Sequence, residues 1–500
     1  MDASPALCLI LLALTVLPLA VLKAHSTRLT GDEVYTLRIA QQPTIASMLH
    51  LSRQIDLHPP LHYLLQRASL ATHLPIWLAS RAPSILATTL TLALVFLFVA
   101  RRLGNLFGLL AASILWFTPI IDFAWLNRPY ALWLCLLTAT AVFYQRATEP
   151  RRNPWLPLLL FLAALAMLLD YMAGLACLLP FFLAEAHRTY RRKRLDPALC
   201  LALILPCFAA VLYLQPLAAF ATNSFVPQYL HSFDTAADIY LATMTQPLAV
   251  LAACIFAATV LLSPRPAHPE PLTPTPPPAA DLLIAISLFA LPLLLAAIAT
   301  IRHTQFFSRY GACGAIGFAF LVPWILLRYV PYPRAVATLM TLALLIAAAV
   351  QTSSANFEIF GPWRSFRPMG VTPLTLDRLN PTLPLAIANP GGYTEMNDRE
   401  PAALLARTFY LYDRESAAKF SGSTVFETEA QTAALMGFHG KTAPLAPFLS
   451  SHRQFYLVAD YNNAEEWLPR KLLASGATLQ YLGKFQSTYA DEDLYLVTAQ

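Results

Sequence analysis

The stretch "RLTGDEVYTLRIA", residues 28–40, follows an almost entirely apolar run and contains two adjacent carboxylates, Asp32 and Glu33. The run before it, near residues 5–23, has the length and composition of a membrane-spanning helix, which needs about 20 mostly apolar residues. A cleavable signal peptide is the alternative for this run, although it lacks a basic start. Both interpretations place the two carboxylates at the far surface of the membrane.

The composition of the whole chain is that of an integral membrane protein. Of 500 residues, 57% are hydrophobic and 12% are charged, whereas a soluble domain carries about 25% charged residues. Ten further apolar segments predict a mainly α polytopic protein with about 11 transmembrane helices. They lie near 80–100, 105–121, 128–145, 155–170, 171–187, 197–216, 239–262, 281–300, 310–327 and 335–351.

The basic residues of the short loops predict the orientation, because Lys and Arg concentrate on the cytoplasmic side. With the N-terminus inside, the cytoplasmic loops contain Arg101 with Arg102 and the stretch "HRTYRRKR" at 187–194. The net charge of +6 is therefore mostly a topology signal and does not indicate a nucleic-acid partner. The seven cysteines lie in apolar segments without a C-x-x-C pair, which indicates neither a zinc site nor a disulfide framework.

Three regions follow from these patterns. Residues 1–351 form the predicted transmembrane domain. It includes a long first external loop at 24–79 and a proline-rich cytoplasmic linker at 263–280. Residues 352–379 form a second linker, and residues 380–500 form an external α/β domain. In that last domain "PLAIAN" and "QFYLVAD" are predicted strands, and "EPAALLARTFYLYD" and "AEEWLPRKLLASG" are helix-like. The amphipathic stretches of the first loop predict helices lying in the membrane interface, in contact with lipids.

The acidic pair has two interpretations. Carboxylates at a helix N-terminus stabilise the helix by roughly 0.3–1 kcal/mol, so Asp32 and Glu33 can be a cap. Alternatively, one of them is a general base that takes a proton from an attacking hydroxyl. The second interpretation is favoured by His58, Arg128 and Arg309, which share the external edge. Arginine there runs against the loop-charge bias. Either a phosphate at the membrane surface, bound by the planar fork of the side chain, or snorkelling of the side chain to lipid headgroups would explain its presence.

Five short motifs occur in a fixed order over residues 1–350. They are "GDEVYT" after the first helix, "HPPLHYLL" in the same loop, "RAPSILATTLTLALVF" at the second helix, "RPYALWLCLL" at the fourth and "SRYGA" before the tenth. In this order the sequence resembles the GT-C superfamily of polytopic glycosyltransferases, and within it the protein mannosyltransferase and aminoarabinose transferase relatives. The polar C-terminal region resembles the external domain of many bacterial members only in its pattern.

The resemblance implies a reaction. A sugar passes from a polyprenyl phosphate donor to the hydroxyl of a lipid, glycan or protein acceptor, with inversion, on the external face of a bacterial plasma membrane. Asp32 is the expected base, and Glu33 orients the acceptor or holds the loop. The expected ligands of the lipid phosphate are His58, Arg128 and Arg309, with the hydroxyls of Tyr310 and Tyr130.

Some site assignments stay open. Relatives often have lysine where this chain has His58, so we expect activity to fall as pH rises through the pKa of this histidine, ordinarily about 6.5. Asp122 is either a second carboxylate on the acceptor side or a helix-end partner of Arg128, and Asp170 is interpreted as structural. No cofactor is expected, and no metal: Asp56 and His58 lack a third ligand, although a divalent ion is not excluded.

Two other classes of protein compete with a transferase. A transporter or lipid-linked sugar flippase carries ionisable or Gly/Pro-interrupted sites at the bilayer midplane, whereas here the helix centres are almost free of charge. A sensor whose external α/β domain does the work leaves the long first loop unexplained. The sugar, the acceptor, the carrier length and the oligomeric state do not follow from the sequence.

Overall fold

The computed structural model describes residues 4–56, 58–212, 232–262, 278–302, 306–360, 379–422, 424, 427, 433–463, 466–486 and 491–499. Two linkers are predicted, at 263–280 and 352–379. Most of each lies outside the described residues, namely 263–277 and 361–378. The chain forms two compact units. The first contains the described residues of 4–25, 58–212 and 232–357; the second contains 26–56 and the described residues from 358 onward.

The first unit is helical, as predicted. Its helices are α1 (Pro5–Ser26), α4 (Leu61–Leu70), α5 (Ile76–Ala79), α6 (Ala82–Leu103), α7 (Asn105–Leu115), α8 (Tyr130–Ala147), α9 (Leu156–Asp170), α10 (Gly174–Cys177), α11 (Leu179–Arg192), α12 (Pro197–Ile204), α13 (Ser232–Leu262), α14 (Ala279–Arg302), α15 (Cys313–Tyr329) and α16 (Pro333–Phe360). Every segment predicted to span the membrane contains one of these helices. Within the described part of the chain, six are long and apolar enough to cross a membrane: α1, α6, α13, α14, α15 and α16.

Close packing between helices holds this unit together, because lipid tails offer no hydrophobic driving force between them. Phe98 of α6 stacks on Phe320 of α15 with ring centroids 4.0 Å apart. Gly317 lets α15 approach α14 so closely that a Cβ at this position would collide with the backbone of Phe289. Small residues at such crossings are typical of membrane helices, and they fix which helices are neighbours.

A charged network joins helix ends that the sequence analysis assigns to the cytoplasmic side. Arg102 Nε donates to Asp281 at 2.8 Å, and the amide of Gln145 donates to the same carboxylate at 3.0 Å. Arg188 donates to both oxygens of Glu185, at 2.8 and 2.7 Å. These pairs compensate charges that are costly to bury alone. The contacts to Asp281 connect α6, α8 and α14, whereas the pair of Arg188 and Glu185 lies within α11.

The second unit joins the first half of the long loop to the C-terminal α/β domain. Its loop helices are α2 (Gly31–Ala40) and α3 (Ile45–Ile55). Its later helices are α17 (Pro390–Arg399), α18 (Ala402–Leu405), α19 (Arg414–Phe420), α20 (Leu445–Ser451) and α21 (Trp467–Ala474). The strands are β1 (Leu385–Ile387), β2 (Thr408–Tyr412), β3 (Lys441–Pro444), β4 (Gln454–Ala459), β5 (Thr478–Gln486) and β6 (Asp491–Thr498).

These strands form one sheet in the order β3-β2-β1-β4-β6-β5. β1 pairs in parallel with β2 and β4, β2 pairs in parallel with β3, and β6 is antiparallel to β4 and β5. Separate apolar cores, one around Leu385 and Ile387 and one around Ala386, lie on the two faces of the central strand. The domain is therefore an open α/β sheet covered on both faces.

Two predicted elements are wrong. The stretch "EPAALLARTFYLYD" is only briefly helical, in α18, and then forms β2, because "TFYLY" is rich in the β-branched and aromatic residues that favour strands. The first amphipathic stretch is divided between α2 and α3. An interfacial helix keeps one polar face in solvent, whereas α2 is buried over almost its whole surface within the second unit.

Candidate active site

Of the predicted site residues, Asp32 and Glu33 belong to the second unit, and all the others belong to the first. In the first unit Tyr171, which directly follows α9, lies at the centre of an aromatic cluster. Its ring centroid is 5.2 Å from those of His58 and Trp133, 5.5 Å from Tyr130 and 6.0 Å from Tyr310. The structure therefore brings together three predicted residues from three separate segments of the chain.

Both predicted arginines lie against the same cluster. The guanidinium carbon Cζ of Arg309 is 4.1 Å from the ring centroid of Phe307, 5.6 Å from Tyr310 and 5.8 Å from Tyr130. Arg128 Cζ is 5.9 Å from the Tyr130 ring. Both guanidinium groups are thus within cation–π distance of the Tyr130 ring, which holds two positive charges near one another.

His58 contacts Arg128 directly, with Arg128 Nη2 3.0 Å from His58 Nε2. An arginine can only donate in such a contact, because its guanidinium stays protonated. In this contact Arg128 donates and His58 Nε2 accepts. The binding of a lipid phosphate by His58 stays a prediction.

Helix ends place all of these groups. Arg128 and Pro129 directly precede α8, and Tyr130 is its first residue. Arg309 and Tyr310 lie in a 3₁₀ turn, Ser308–Gly311, directly before α15, and His58 lies shortly before α4. At such ends the backbone leaves its regular hydrogen bonding, so polar side chains gather there and not along the apolar helix centres.

The sequence analysis did not assign Tyr171 or Trp133 to the site. Trp133 lies on α8 one turn after Tyr130 and is fully buried. Only the positions of the tyrosines in the predicted helices could have indicated this. Tyr171 lies at the external end of a predicted helix, and Tyr130 and Tyr310 lie at the external beginnings of two others. Aromatic residues in apolar segments are usually core residues, however, so composition alone does not single these two out.

The two further acidic residues of this unit differ in environment. Asp122 lies in a 3₁₀ helix, Ile121–Trp125, and its side chain is exposed. Asp170 ends α9 and is fully buried. The acceptor-side role of Asp122 and the structural role of Asp170 stay predictions.

In the second unit the adjacent carboxylates have opposite environments. Glu33 is fully buried, and its Oε2 accepts a hydrogen bond from the Thr30 backbone N–H at 2.9 Å. With the Thr30 side chain facing the Glu33 backbone, this is a capping box at the start of α2. Asp32 is exposed on the same turn. The geometry thus assigns the cap to Glu33 and leaves the carboxylate of Asp32 at the surface.

Metal ligation is not indicated by the arrangement of side chains. Within the described ranges, no group of three or more His, Cys, Asp or Glu side chains is placed to hold a metal ion. The positive charges at the aromatic cluster are those of Arg128 and Arg309 themselves.

A family model described as dolichyl-phosphate-mannose-protein mannosyltransferase matches residues 57–214, which include His58, Arg128, Tyr130 and Tyr171. The crystal structure of ArnT from Cupriavidus metallidurans bound to undecaprenyl phosphate is similar over 99% of this chain and 98% of that chain, with 12% identity and a TM-score of 0.52. The crystal structure of ArnT from the same organism in the apo state is similar over 98% of this chain and 96% of that chain, with 11% identity and a TM-score of 0.43. No curated protein sequence matches the chain.

These comparisons confirm the predicted resemblance to the GT-C superfamily and the polytopic, mainly helical fold with a small C-terminal sheet. The family model, whose description names a mannosyltransferase, agrees with the prediction of a glycosyltransferase over residues 57–214.

Proposed function

We propose that this glycosyltransferase of the GT-C fold transfers a sugar from a polyprenyl phosphate donor to an acceptor hydroxyl, with inversion, at the external face of a bacterial plasma membrane. The observation that carries the proposal is the convergence of Arg128 and Arg309 on the aromatic cluster around Tyr171. Two guanidinium groups that face the same aromatic ring from separate segments form a cationic site, and the planar fork of each matches the geometry of a phosphate. A lipid phosphate is an anion of the right kind and location.

Cations at this position favour the reaction because negative charge develops on the phosphate during bond breaking. As the bond between the anomeric carbon and the phosphate oxygen breaks, the bond electrons stay on the phosphate, and its negative charge grows. Fixed guanidinium groups stabilise that growing charge more than they stabilise the intact donor, so they lower the barrier. His58 holds Arg128 in place through the contact at 3.0 Å. Tyr130 and Tyr310 supply ring faces, and we propose that their hydroxyls donate to the phosphate.

Asp32 is the proposed base. The acceptor hydroxyl oxygen bonds to the anomeric carbon, its proton passes to the Asp32 carboxylate, and polyprenyl phosphate leaves. A single displacement of this kind inverts the configuration of the sugar. Two observations favour Asp32 over its neighbour: its side chain is exposed, and the carboxylate of Glu33 already accepts the Thr30 N–H.

We further propose that no cofactor or metal takes part, because the side-chain cations can oppose the phosphate charge. A chelator should then leave transfer unchanged. The external location rests on the basic loops, which the positive-inside rule assigns to the cytoplasm. The acceptor is a hydroxyl-bearing lipid, glycan or protein, and membrane lipids surround the helices.

The test is transfer of label from a panel of radiolabelled polyprenyl phosphate sugars by membranes that contain the wild type or Arg128→Ala. We expect wild type to consume one donor and the variant to lose transfer about 100-fold or more, the usual effect of removing one preorganised charge-stabilising group. The matched control is Arg334→Gln, an exposed arginine at the start of α16. NMR of the product reports the anomeric configuration. Retention, or the absence of transfer from every donor, would overturn the proposal, and the latter would favour a lipid-linked sugar transporter.

A further inference from the structure

Helix α2 has an unusual exposure pattern for a helix in a long loop. Within Gly31–Ala40, all of which is described, Asp32 is exposed, Arg38 is half-buried and every other residue is buried. A helix buried in this way has its position and rotation fixed by what surrounds it. The direction in which Asp32 points is therefore set by the packing partners of α2.

The main partner of α2 is α17, the first helix of the α/β domain, which lies about 350 residues further along the chain. The closest approach is between two glycines. A Cβ placed on Gly31 would be 2.9 Å from the Gly391 Cα and 3.1 Å from its carbonyl oxygen, closer than ordinary contacts. The glycine of the "GDE" motif is thus explained by contact with α17, directly beside Asp32.

One turn later, a buried pair of hydroxyl groups joins the two helices. The Thr394 hydroxyl oxygen is 3.0 Å from the Tyr35 hydroxyl oxygen and 2.9 Å from the Pro390 carbonyl oxygen. A threonine hydroxyl has a single hydrogen. The arrangement that satisfies all three groups has Thr394 donating to Pro390 and Tyr35 donating to Thr394. Both residues are buried, with Thr394 fully so.

Two charged contacts hold the chain on either side of these. Arg399 Nη2 donates to the Leu29 carbonyl oxygen at 2.7 Å, just before the "GDE" motif. Arg38 Nη2 lies 3.4 Å from Asp398 Oδ1, near the end of α2. The segment that carries Asp32 is therefore held by α17 both before and after that residue.

α17 lies at the position in the α/β domain where related sheets bind ligands. It begins directly after β1, next to the point where the strand order changes direction between β1 and β4. Open α/β sheets bind their ligands at this point, outside the carboxyl ends of the strands. Here the first turn of α17, which follows β1, contains Gly391, and Gly391 contacts the chain's own Gly31. The α/β domain holds a segment of its own chain where related sheets hold a ligand.

We propose that the α/β domain positions the base Asp32 through α17, with Thr394 and Tyr35 as positioning residues. This inference rests on the proposed function, in which Asp32 accepts the acceptor proton. It gives the C-terminal domain a role in the chemical step without contact with the substrate.

The test compares Thr394→Val and Tyr35→Phe, each of which removes the hydrogen bond between the helices. Displacing a reacting group by about 1 Å costs on the order of 100-fold in rate, so we expect kcat to fall about 10-fold to 100-fold. The KM for the polyprenyl phosphate sugar should stay within about twofold, because neither residue belongs to the aromatic cluster. The double variant should be no slower than Thr394→Val, since both changes remove the same bond. Thr394→Ser, which keeps the hydroxyl, should restore kcat.

Thr408→Val is the matched control. Thr408 is also fully buried, and its hydroxyl donates to the carbonyl four residues earlier, that of Leu404, at 3.0 Å, as Thr394 does to Pro390. It should lower stability to a similar degree and leave kcat unchanged. Hydrogen–deuterium exchange of the full-length protein should show faster exchange over residues 29–40 in Thr394→Val and not in Thr408→Val.

The outcomes separate this inference from the proposed function. If Asp32→Asn abolishes transfer while Thr394→Val and Tyr35→Phe transfer as wild type does, the positioning role is refuted and the proposed function stands. If Asp32→Asn transfers as wild type does, the proposed base is refuted, and the positioning role with it. Equal exchange over residues 29–40 in wild type and Thr394→Val would refute the role of the contact independently of any activity. If Thr394→Val is poorly folded, Tyr35→Phe decides, because it removes one oxygen atom and leaves the ring in place.

Discussion

Replacement of the two adjacent carboxylates, one at a time, tests the division of roles that the structure draws between them. Asp32→Asn and Glu33→Gln both replace a carboxylate oxygen by an amide nitrogen with little change of size. Asp32 is exposed, whereas Glu33 is fully buried and caps α2. The two variants should therefore fail in different ways.

For Asp32→Asn the expected effect is on the rate. A general base contributes about 100-fold to 10,000-fold, which corresponds to about 3–5 kcal/mol of activation free energy. The free energy of unfolding should change by less than about 1 kcal/mol, because an exposed carboxylate in the first turn of a helix contributes roughly 0.3–1 kcal/mol.

For Glu33→Gln the expected effect is on stability. The side chain accepts the Thr30 N–H at 2.9 Å, and helix caps contribute about 1 kcal/mol. Glutamine keeps an accepting oxygen and loses the negative charge at the helix N-terminus, so about 1 kcal/mol of stability should be lost. The rate should fall only as far as the start of α2 loosens, by about tenfold at most.

The assay combines transfer of labelled sugar from the donor identified with wild type and thermal unfolding of each purified variant in detergent. Protein abundance is matched before rates are compared. An active Asp32→Asn together with an inactive, normally stable Glu33→Gln would refute the division of roles. Loss of transfer in both, with unchanged stability in both, would show that Glu33 also takes part in the chemical step.

Gly31→Ala should lower the unfolding temperature and slow transfer, because its Cβ would lie 2.9 Å from the Gly391 Cα and overpacking costs about 1–3 kcal/mol; an unchanged unfolding temperature would contradict the close approach. Arg309→Lys keeps the positive charge and loses the planar stacking on the aromatic rings. The affinity for unglycosylated polyprenyl phosphate should therefore fall about fivefold, which corresponds to about 1 kcal/mol. Equal affinity in wild type and variant would refute the stacking argument. His58→Ala should lower transfer, because Arg128 Nη2 would lose the acceptor that lies 3.0 Å away at His58 Nε2; unchanged transfer would refute the contribution of this contact. Burial raises the pKa of Glu427 from about 4.5 in the unfolded chain to about 7 in the folded protein. Between these two pH values the folded state therefore binds more protons than the unfolded state. The free energy of unfolding is highest at low pH and falls as the pH rises to about 7. Unfolding measured from pH 4.5 to 8 should show this fall in wild type and a smaller fall in Glu427→Gln, because burial also raises the pKa of Glu466 to about 7. An unchanged slope in Glu427→Gln would exclude this carboxyl as a cause.

The helices and the positions of the polar groups along the chain can be read from local sequence. Each apolar run predicted a helix that the structure contains, because length and hydropathy are properties of a local segment. The arginines at helix ends were found in the same way, since a charge outside an apolar run is visible without knowing its neighbours. That Arg128 and Arg309 meet at one cluster was expected only from the resemblance to a family.

Local pattern failed where neighbours decide the structure. The stretch containing Thr408–Tyr412 was predicted as helix and forms a strand, because pairing with β1 and β3 outweighs the helical propensity of the residues before it. Tyr171 looked like an ordinary core residue, and only the approach of rings from three other segments places it at the centre of the cluster.

The different environments of Asp32 and Glu33 come from the tertiary structure. The residues themselves give no reason to separate the two carboxylates, and only the resemblance implies that Asp32 is the base. Packing of α2 against α17 buries Glu33 and exposes Asp32, and it brings Gly31 against Gly391. Hydropathy and propensity report only on neighbouring residues in the chain, whereas burial depends on contacts between segments hundreds of residues apart, which form only when the chain folds.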